Sequence, residues 1–325
     1  MKEGGYDVFF KYIIRRKMIY KNIHGRLGNQ MFQYASIKGI ARKNKIESDK
    51  IVLNFKNVYK NDFENELQNF NLYNVEEVEN NNLDFIQKIL IAQIFVIEKI
   101  IERMSSTENF EKNRNTFEKK FANFLEKFGI CRMVDGYYDF KLPKRKKYFF
   151  SGGFESSKYF EEIREEILKE FTPKYGKVEK NKSLYIEIEN TNSVCISIRR
   201  GDFLDECNIK KHFVCNEGYF KRAVEIMKQK VENPKFIVFS DDIQWCKENL
   251  TFPNGTLFES GEDPVWEKLR LMYSCKNFII SNSTFSWWAQ YLSRNKEKVV
   301  IAPNKWKNSG VYQDIYEKDW ILIDT

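Results

Sequence analysis

The chain has 325 residues, too many for one small core and enough for two domains of ordinary size. A hydrophobic content of 42%, with 28 Phe and 17 Tyr, supports real cores and excludes a disordered chain. The 54 basic and 46 acidic residues leave a net charge of +8 spread along the sequence, which favours anionic ligands or a membrane surface only weakly.

In chain order, Val8-Phe9-Phe10 and Tyr12-Ile13-Ile14 are interrupted by Lys11 and closed by Arg15-Arg16 before a signal-peptide core could form, so no export signal is expected. The basic knots Arg15-Arg16-Lys17 and Lys144-Arg145-Lys146-Lys147 come without a stacking or zinc motif. They read as solvated turns, and no nucleic-acid partner is expected. Met18 to Ile23 form a short apolar strand, followed by His24-Gly25-Arg26-Leu27-Gly28-Asn29-Gln30 and a helical pattern from Met31 to Arg42. Strand, glycine loop and helix bring backbone N–H groups up to a ligand, with Gly25 and Gly28 allowing close approach and Asn29 and Gln30 offering amides. A plain strand-to-helix turn with a polar cap fits the same residues.

Residues 45–130 are rich in Asn, Glu, Lys and Phe, with helical periodicity over 85–101 and 117–128, and are the least readable for function. The apolar stretch Ile89 to Ile97, bounded by Lys88 and Glu98, is less than half the length of a spanning helix. It reads as a core or interface helix, with peripheral membrane contact as the minor alternative. Phe149 to Phe160 leaves a strand and enters a helix over 161–171, which Thr172-Pro173 stops. The domains are therefore placed at 1–173 and 174–325.

The second half alternates strand 194–199, helix 217–230, strand 236–239, helix 242–249, strand 277–281, helix 284–293 and strand 298–301. Such alternation predicts a parallel sheet covered on both faces, with ligands at the carboxyl ends of its strands. Three polar motifs sit at those ends: Arg199-Arg200-Gly201-Asp202, Ser240-Asp241-Asp242, and Ser281-Asn282-Ser283-Thr284-Phe285-Ser286. Adjacent arginines suit a diphosphate through bidentate hydrogen bonds, although an Arg–Asp surface pair opening a loop has the same sequence. Asp241 suits a helix start, or an acceptor for ribose hydroxyls or a base amine, and with arginines present no metal is expected. The Ser/Thr-rich helix start can bind phosphate or cap itself, and at least one of Trp287 and Trp288 must bury. The histidines are His24 and His212, and the carboxylates nearest the arginines are Asp202, Asp205 and Glu206. Six cysteines without Cys-x-x-Cys pairing, Cys207 among them, read as free thiols in a reducing cytoplasm.

Gly25 to Ala35, Ile198 to Asp202, Phe239 to Asp242 and Ser281 to Trp288 together resemble the alpha-1,2-fucosyltransferases of glycosyltransferase family 11, and the Gly153-Phe154-Glu155-Ser156 to Tyr159-Phe160 stretch also fits. The resemblance implies an α/β protein of two Rossmann-like domains facing a cleft (GT-B type). It further implies GDP-fucose as co-substrate, neither metal nor resident cofactor, and inversion at the sugar carbon during transfer to the 2-hydroxyl of a terminal galactose. Carried over, Arg199 and Arg200 hold the GDP diphosphate, Asp202 orders their loop and Asp241 contacts the nucleoside. Ser283, Thr284, Phe285 and Ser286 complete the phosphate and sugar cradle, and Gly25, Gly28, Asn29 and Gln30 face them from the other domain. Ser197 stands where the family often carries histidine, so that contribution is missing or comes from His212. Asp202, Glu206, Asp205 and His212, in declining order, are the candidates for the base. The alternatives are another nucleotide-sugar donor or a protein acceptor on the same fold, or an inactive nucleotide-binding scaffold. Acceptor determinants are expected within 45–150, and a cytoplasmic location, with or without contact at the inner membrane face, is expected.

Overall fold

The computed structural model describes residues 17–48, 50–206, 208–309 and 314–325, with Thr107 and Glu108 described as backbone only. The N-terminal apolar run, Arg15-Arg16 and Cys207 lie outside the described residues. Met18–Asn22 forms β1, whose central residues are apolar or buried, and Lys50–Asn54 forms β2 beside it in parallel, Ile19 opposite Ile51. Val75–Glu77 (β3), Ile130–Arg132 (β4) and Lys147–Ser151 (β5) complete a parallel sheet in the order β3-β2-β1-β5-β4. Helix α1 spans Leu27–Lys43, and the helical pair α2, Phe85–Met104, and α3, Thr107–Glu126, precedes β4. Asp84 and Gln87 form a reciprocal cap that fixes where α2 begins. In place of the expected helix over 161–171 there is a single 3₁₀ turn and then α4, Arg164–Glu170, just before Thr172-Pro173.

The second sheet runs β11-β10-β9-β6-β7-β8, also wholly parallel. Its elements are α5 Lys182–Asn190, β6 Asn192–Ile198, α6 Glu217–Lys230, β7 Pro234–Ser240, α7 Ile243–Asn249 and β8 Leu257–Phe258. There follow α8 Val265–Ser274, β9 Asn277–Ile280, α9 Thr284–Leu292, β10 Val300–Pro303 and β11 Ile321–Ile323. Val194, Cys195 and Ile196 are wholly buried, as a central parallel strand covered on both faces requires. Trp287 and Trp288 are both buried, Trp287 donating through Nε1 to the Ile315 carbonyl at 2.7 Å and Trp288 packing edge-on against Phe171.

The chain is thus α/β with two parallel sheets, each in its own compact unit. The first unit holds the described residues up to Leu67 and Leu72–Glu170; the second holds Gln68–Asn71 and Phe171–Thr325. The short excursion Gln68–Asn71 belongs to the second because Phe70 bridges to Pro173 and packs edge-on against Phe171. Among the described residues no helix is long and apolar enough to cross a membrane. The five described cysteines are buried free thiols; burial pushes Cys215 up to about 12 and Cys131 and Cys195 well above the usual thiol range, which leaves them poor nucleophiles at neutral pH.

Glu118 of α3 is buried, accepting from the Val134 N–H at 2.9 Å, and burial pushes its carboxyl up to about 7 against the pull of Arg132. A raised acid binds its proton more tightly in the folded chain. Its stabilising contribution is therefore full below the unfolded value and lost as pH rises through the folded one. Glu118→Gln should gain on the parent as pH goes from about 5 to about 8, by on the order of 2 kcal/mol at the alkaline end. Paired thermal melts across that range test this; a constant gap would remove the carboxyl as its source.

Candidate active site

Strands β9, β6 and β7 are neighbours at the centre of the second sheet, so the three polar motifs at their carboxyl ends are brought side by side. Ile198 lies opposite Ser240 and Ser197 opposite Ile280. At the end of β6 the Arg199 guanidinium pairs with Asp202 in its own loop and, at 2.7 Å, with Asp241 Oδ2 from the end of β7. The other Asp241 oxygen accepts the Arg200 backbone N–H at 2.9 Å, so one carboxylate ties both arginines to the neighbouring strand. Arg200 stacks its guanidinium over the Trp245 ring, 3.2 Å from the centroid, and donates through Nε to Asp242 at 3.3 Å. A Cβ on Gly201 would lie 2.4 Å from Asp241 Oδ2, so any larger residue would push that carboxylate from its place against the arginines. Asp242 also caps α7 by accepting from the Trp245 N–H.

The third motif divides. Ser286, expected in the phosphate cradle, is 1% exposed and shares its hydroxyl with Ser197 Oγ at 2.7 Å and Ser281 Oγ at 3.1 Å. It faces inward because the first turn of α9 packs on the strand ends. Ser197, at the position of the family histidine, is thus part of a buried hydroxyl cluster. Ser283, Thr284 and Phe285 are half-buried at the start of α9, where Ser283 supplies no side-chain cap. Asn282 is buried and donates to the carbonyls of His212 and Trp306, both at 2.9 Å, holding the one-turn helix Ile209–His212. The His212 ring stacks on Phe203, which also lies beneath the Arg199 guanidinium. Asp205 and Glu206 are exposed on the same turn. A cavity of about 540 Å³ opens beside Arg200, lined by Ile198, Phe213, Asn216 and Trp245 among others. Arg199, Asp202, Asp241 and the Ser283–Ser286 segment do not line it.

Gly25, Gly28, Asn29 and Gln30 belong to the first unit. Gly25 adopts φ +76° with the Asn29 side chain against it, an arrangement that any Cβ would obstruct. Gln30, expected among the donor contacts, is instead spent internally. It is fully buried, donates to the carbonyls of Gly25 at 3.0 Å and Glu64 at 2.8 Å, and accepts from the Glu66 N–H at 3.1 Å. Gly28 is buried in the first turn of α1, while Asn29 is half-buried. Gln33 shapes the loop from within, donating to His24 O and Asn29 O. Burial, with Lys21 and Arg132 nearby, drives His24 down to about 3, so its imidazole is neutral at pH 7. Lys21 itself is buried, with Nζ on the carbonyls of Asn22 and Gly152 at 2.9 Å, and its pKa is lowered well below the usual range by burial and by Arg132. Gln33 lies inside the Gly25 to Ala35 motif but is not singled out by it, and Lys21, Phe203 and Trp245 escape sequence reasoning, although a lysine within the apolar strand Met18-Ile19-Tyr20-Lys21 is itself a signal.

The family described as Glycosyl transferase family 11 matches residues 18–324. The chain belongs to glycosyl transferase family 11. This family 11 enzyme is 31% identical over 301 residues to an alpha-1,2-colitosyltransferase of Escherichia coli, covering 89% of this chain and 92% of the relative. It is 28% identical over 324 residues to the Escherichia coli O-antigen biosynthesis glycosyltransferase WbnK, covering 94% and 100%. A galactoside alpha-(1,2)-fucosyltransferase 1 of Leontopithecus chrysomelas is 31% identical over 146 residues, 42% of this chain and 40% of that one. The glycosyltransferase is accordingly fucosyltransferase-like, with relatives that transfer 1,2-linked sugars.

Proposed function

We propose that the enzyme transfers L-fucose from GDP-fucose to the 2-hydroxyl of a terminal galactose in a glycan, inverting the sugar carbon and without a metal. The observation that carries this reading is the clamp of Arg199 and Arg200 by Asp202, Asp241 and Asp242 across two adjacent strand ends. A guanidinium has five N–H donors, and the carboxylates engage only part of each fork, so both arginines are positioned in advance with donors left for a diphosphate. Breaking the bond from sugar to diphosphate builds negative charge on the leaving group, which held guanidiniums and the first N–H groups of α9 stabilise without reorganisation.

In this reading Asp241 positions Arg199 and the Arg200 backbone as well as meeting the nucleoside, and Ser283 to Phe285 meet the phosphates through the helix start. The carboxylate of Asp202 is committed to Arg199, so the acceptor proton goes to a carboxylate farther along the same turn, Asp205 or Glu206. Metal independence is supported by the arginine chemistry.

The test is a mass-resolved transfer assay with GDP-fucose, GDP-mannose and UDP-galactose on galactose-terminated oligosaccharides, with EDTA present. Fucose should be transferred at an undiminished rate under chelation. Silence with GDP-fucose and turnover of another donor would refute the donor assignment. A second reading keeps the site and changes the sugar. The identity to an alpha-1,2-colitosyltransferase over 89% of the chain supports it, so a colitosyl donor belongs in the same panel.

A further inference from the structure

Helix α2 is apolar on both faces. Leu90, Ile91 and Ile94 pack inward with Tyr20, Val52 and Phe149 over the first sheet. On the opposite side Phe85, Ile89, Val96, Ile100 and Met104 recur at helical spacing and are exposed, Phe85 by 76% and Met104 by 83%. The stripe runs the full 20 residues of the helix, roughly 30 Å. A soluble helix ordinarily turns charge to that side.

The neighbouring helix sorts its charges by face. Glu111, Glu118 and Glu126 of α3 are buried. Lys112, Lys119 and Lys120 are exposed, as in part are the rings of Phe121 and Phe124, and Lys127 follows at the helix end. On α2, Lys88, Lys99 and Arg103 are exposed as well. Among the described side chains of the two helices, Glu102 is the only exposed acid, so the outer surface combines an apolar stripe with a strong excess of positive charge.

We propose that the outer face of α2 and α3 docks on an anionic phospholipid bilayer, the stripe entering the interface while the lysines meet headgroup phosphates. This pairing of chemistry suits a surface-lying amphipathic element, and neither helix can span. A second copy is the poorer occupant. A two-fold interface places the same patch against itself, and so would bring two surfaces of net positive charge together.

The full chain is sedimented with vesicles of phosphatidylcholine alone and of phosphatidylcholine mixed with phosphatidylglycerol. Binding should require the anionic lipid and fall as salt is raised, since a Debye length shrinks with ionic strength. The variant Lys112→Glu/Lys119→Glu/Lys120→Glu should bind at least about tenfold more weakly, given the free energy that each surface lysine contributes at an anionic leaflet. Ile89→Ser/Val96→Ser/Ile100→Ser should lose binding. Both should still fold and melt cooperatively, because the altered side chains are exposed or half-exposed and none belongs to the buried core. Lys182→Glu/Lys228→Glu/Lys230→Glu, an equal charge change in the second unit, should bind like the parent. No binding to anionic vesicles, or binding that both variants on α2 and α3 retain, overturns the proposal. So does a dimer that the α2 variant dissociates while vesicles are ignored, which would assign the face to a second copy.

Discussion

Arg199→Ala is expected to lower sugar transfer by about a hundred- to a thousandfold, the range found when one preorganised donor to a developing negative charge is removed. Arg199 is the point where the ends of β6 and β7 are joined, through Asp202 on one side and Asp241 on the other. On the proposed reading, removing the guanidinium deprives the leaving diphosphate of its most firmly held partner, and Asp241 keeps the Arg200 N–H. The fold should be little affected, since the side chains of Asp202 and Asp241 are 33% and 25% exposed and water can solvate them. Arg199→Lys should recover only a small part of the loss, because an ammonium keeps the charge but not the planar fork. Kinetics, GDP-binding calorimetry and thermal melts together separate the roles. Near-parental turnover in Arg199→Ala would end the diphosphate assignment, whereas lost turnover with an altered melt would make Arg199 a structural residue.

What could be read from the residues follows burial. Strand β6 and helix α6 were legible because Val194 to Ile198 is an unbroken apolar run but for Ser197, and because Asn216 caps a helix with clear apolar period. The start of α3 was not. Its buried inward position there is filled by Glu111, so the apolar period appears only from Phe117 onward. Strands β3, β4, β8 and β11 went unread because they are two or three residues long and gain their place from neighbours rather than from pattern, whereas β2, with its apolar run Ile51-Val52-Leu53, was legible and was missed. At the site, the sequence carries which residues gather but not which way they turn. Gln30 and Ser286 lie inside recognisable motifs, yet their polar atoms are consumed by Glu64, Glu66, Ser197 and Ser281. Ile89 to Ile97, expected as a core or interface helix, lies within α2, whose one side is core and whose other side is bare.

Gly39→Ala should produce a large loss of stability in the first unit. In an ordinary helix this change gains about 1 kcal/mol, because alanine restricts the unfolded chain and favours the helix. Gly39 is different: a Cβ would lie 1.8 Å from the Tyr159 carbonyl oxygen and 2.9 Å from the Phe160 Cα, both backbone atoms that cannot swing aside. Helix α1 would have to withdraw from the Ser156–Phe160 segment. Nearby ties of α1 are the Phe32–Phe160 ring contact, the Ser36 Oγ bond to Phe154 O at 3.0 Å just before that segment, and the Tyr34 hydroxyl on Glu170 at 2.7 Å at the end of α4. Overpacking of this kind costs about 1–3 kcal/mol before such losses are added, so the net change should be a destabilisation of roughly 2–4 kcal/mol. For a unit of this size that is a fall in melting temperature of about 10 °C. The same withdrawal would displace the Gly25–Gln30 loop that α1 carries, so transfer should fall in the folded fraction too. Gly176→Ala, where a Cβ meets nothing within 4 Å, is the internal control and should leave the melt unchanged. If Gly39→Ala melts with the control, the close approach of α1 to Tyr159 carries no energetic weight, and the glycine is free to vary.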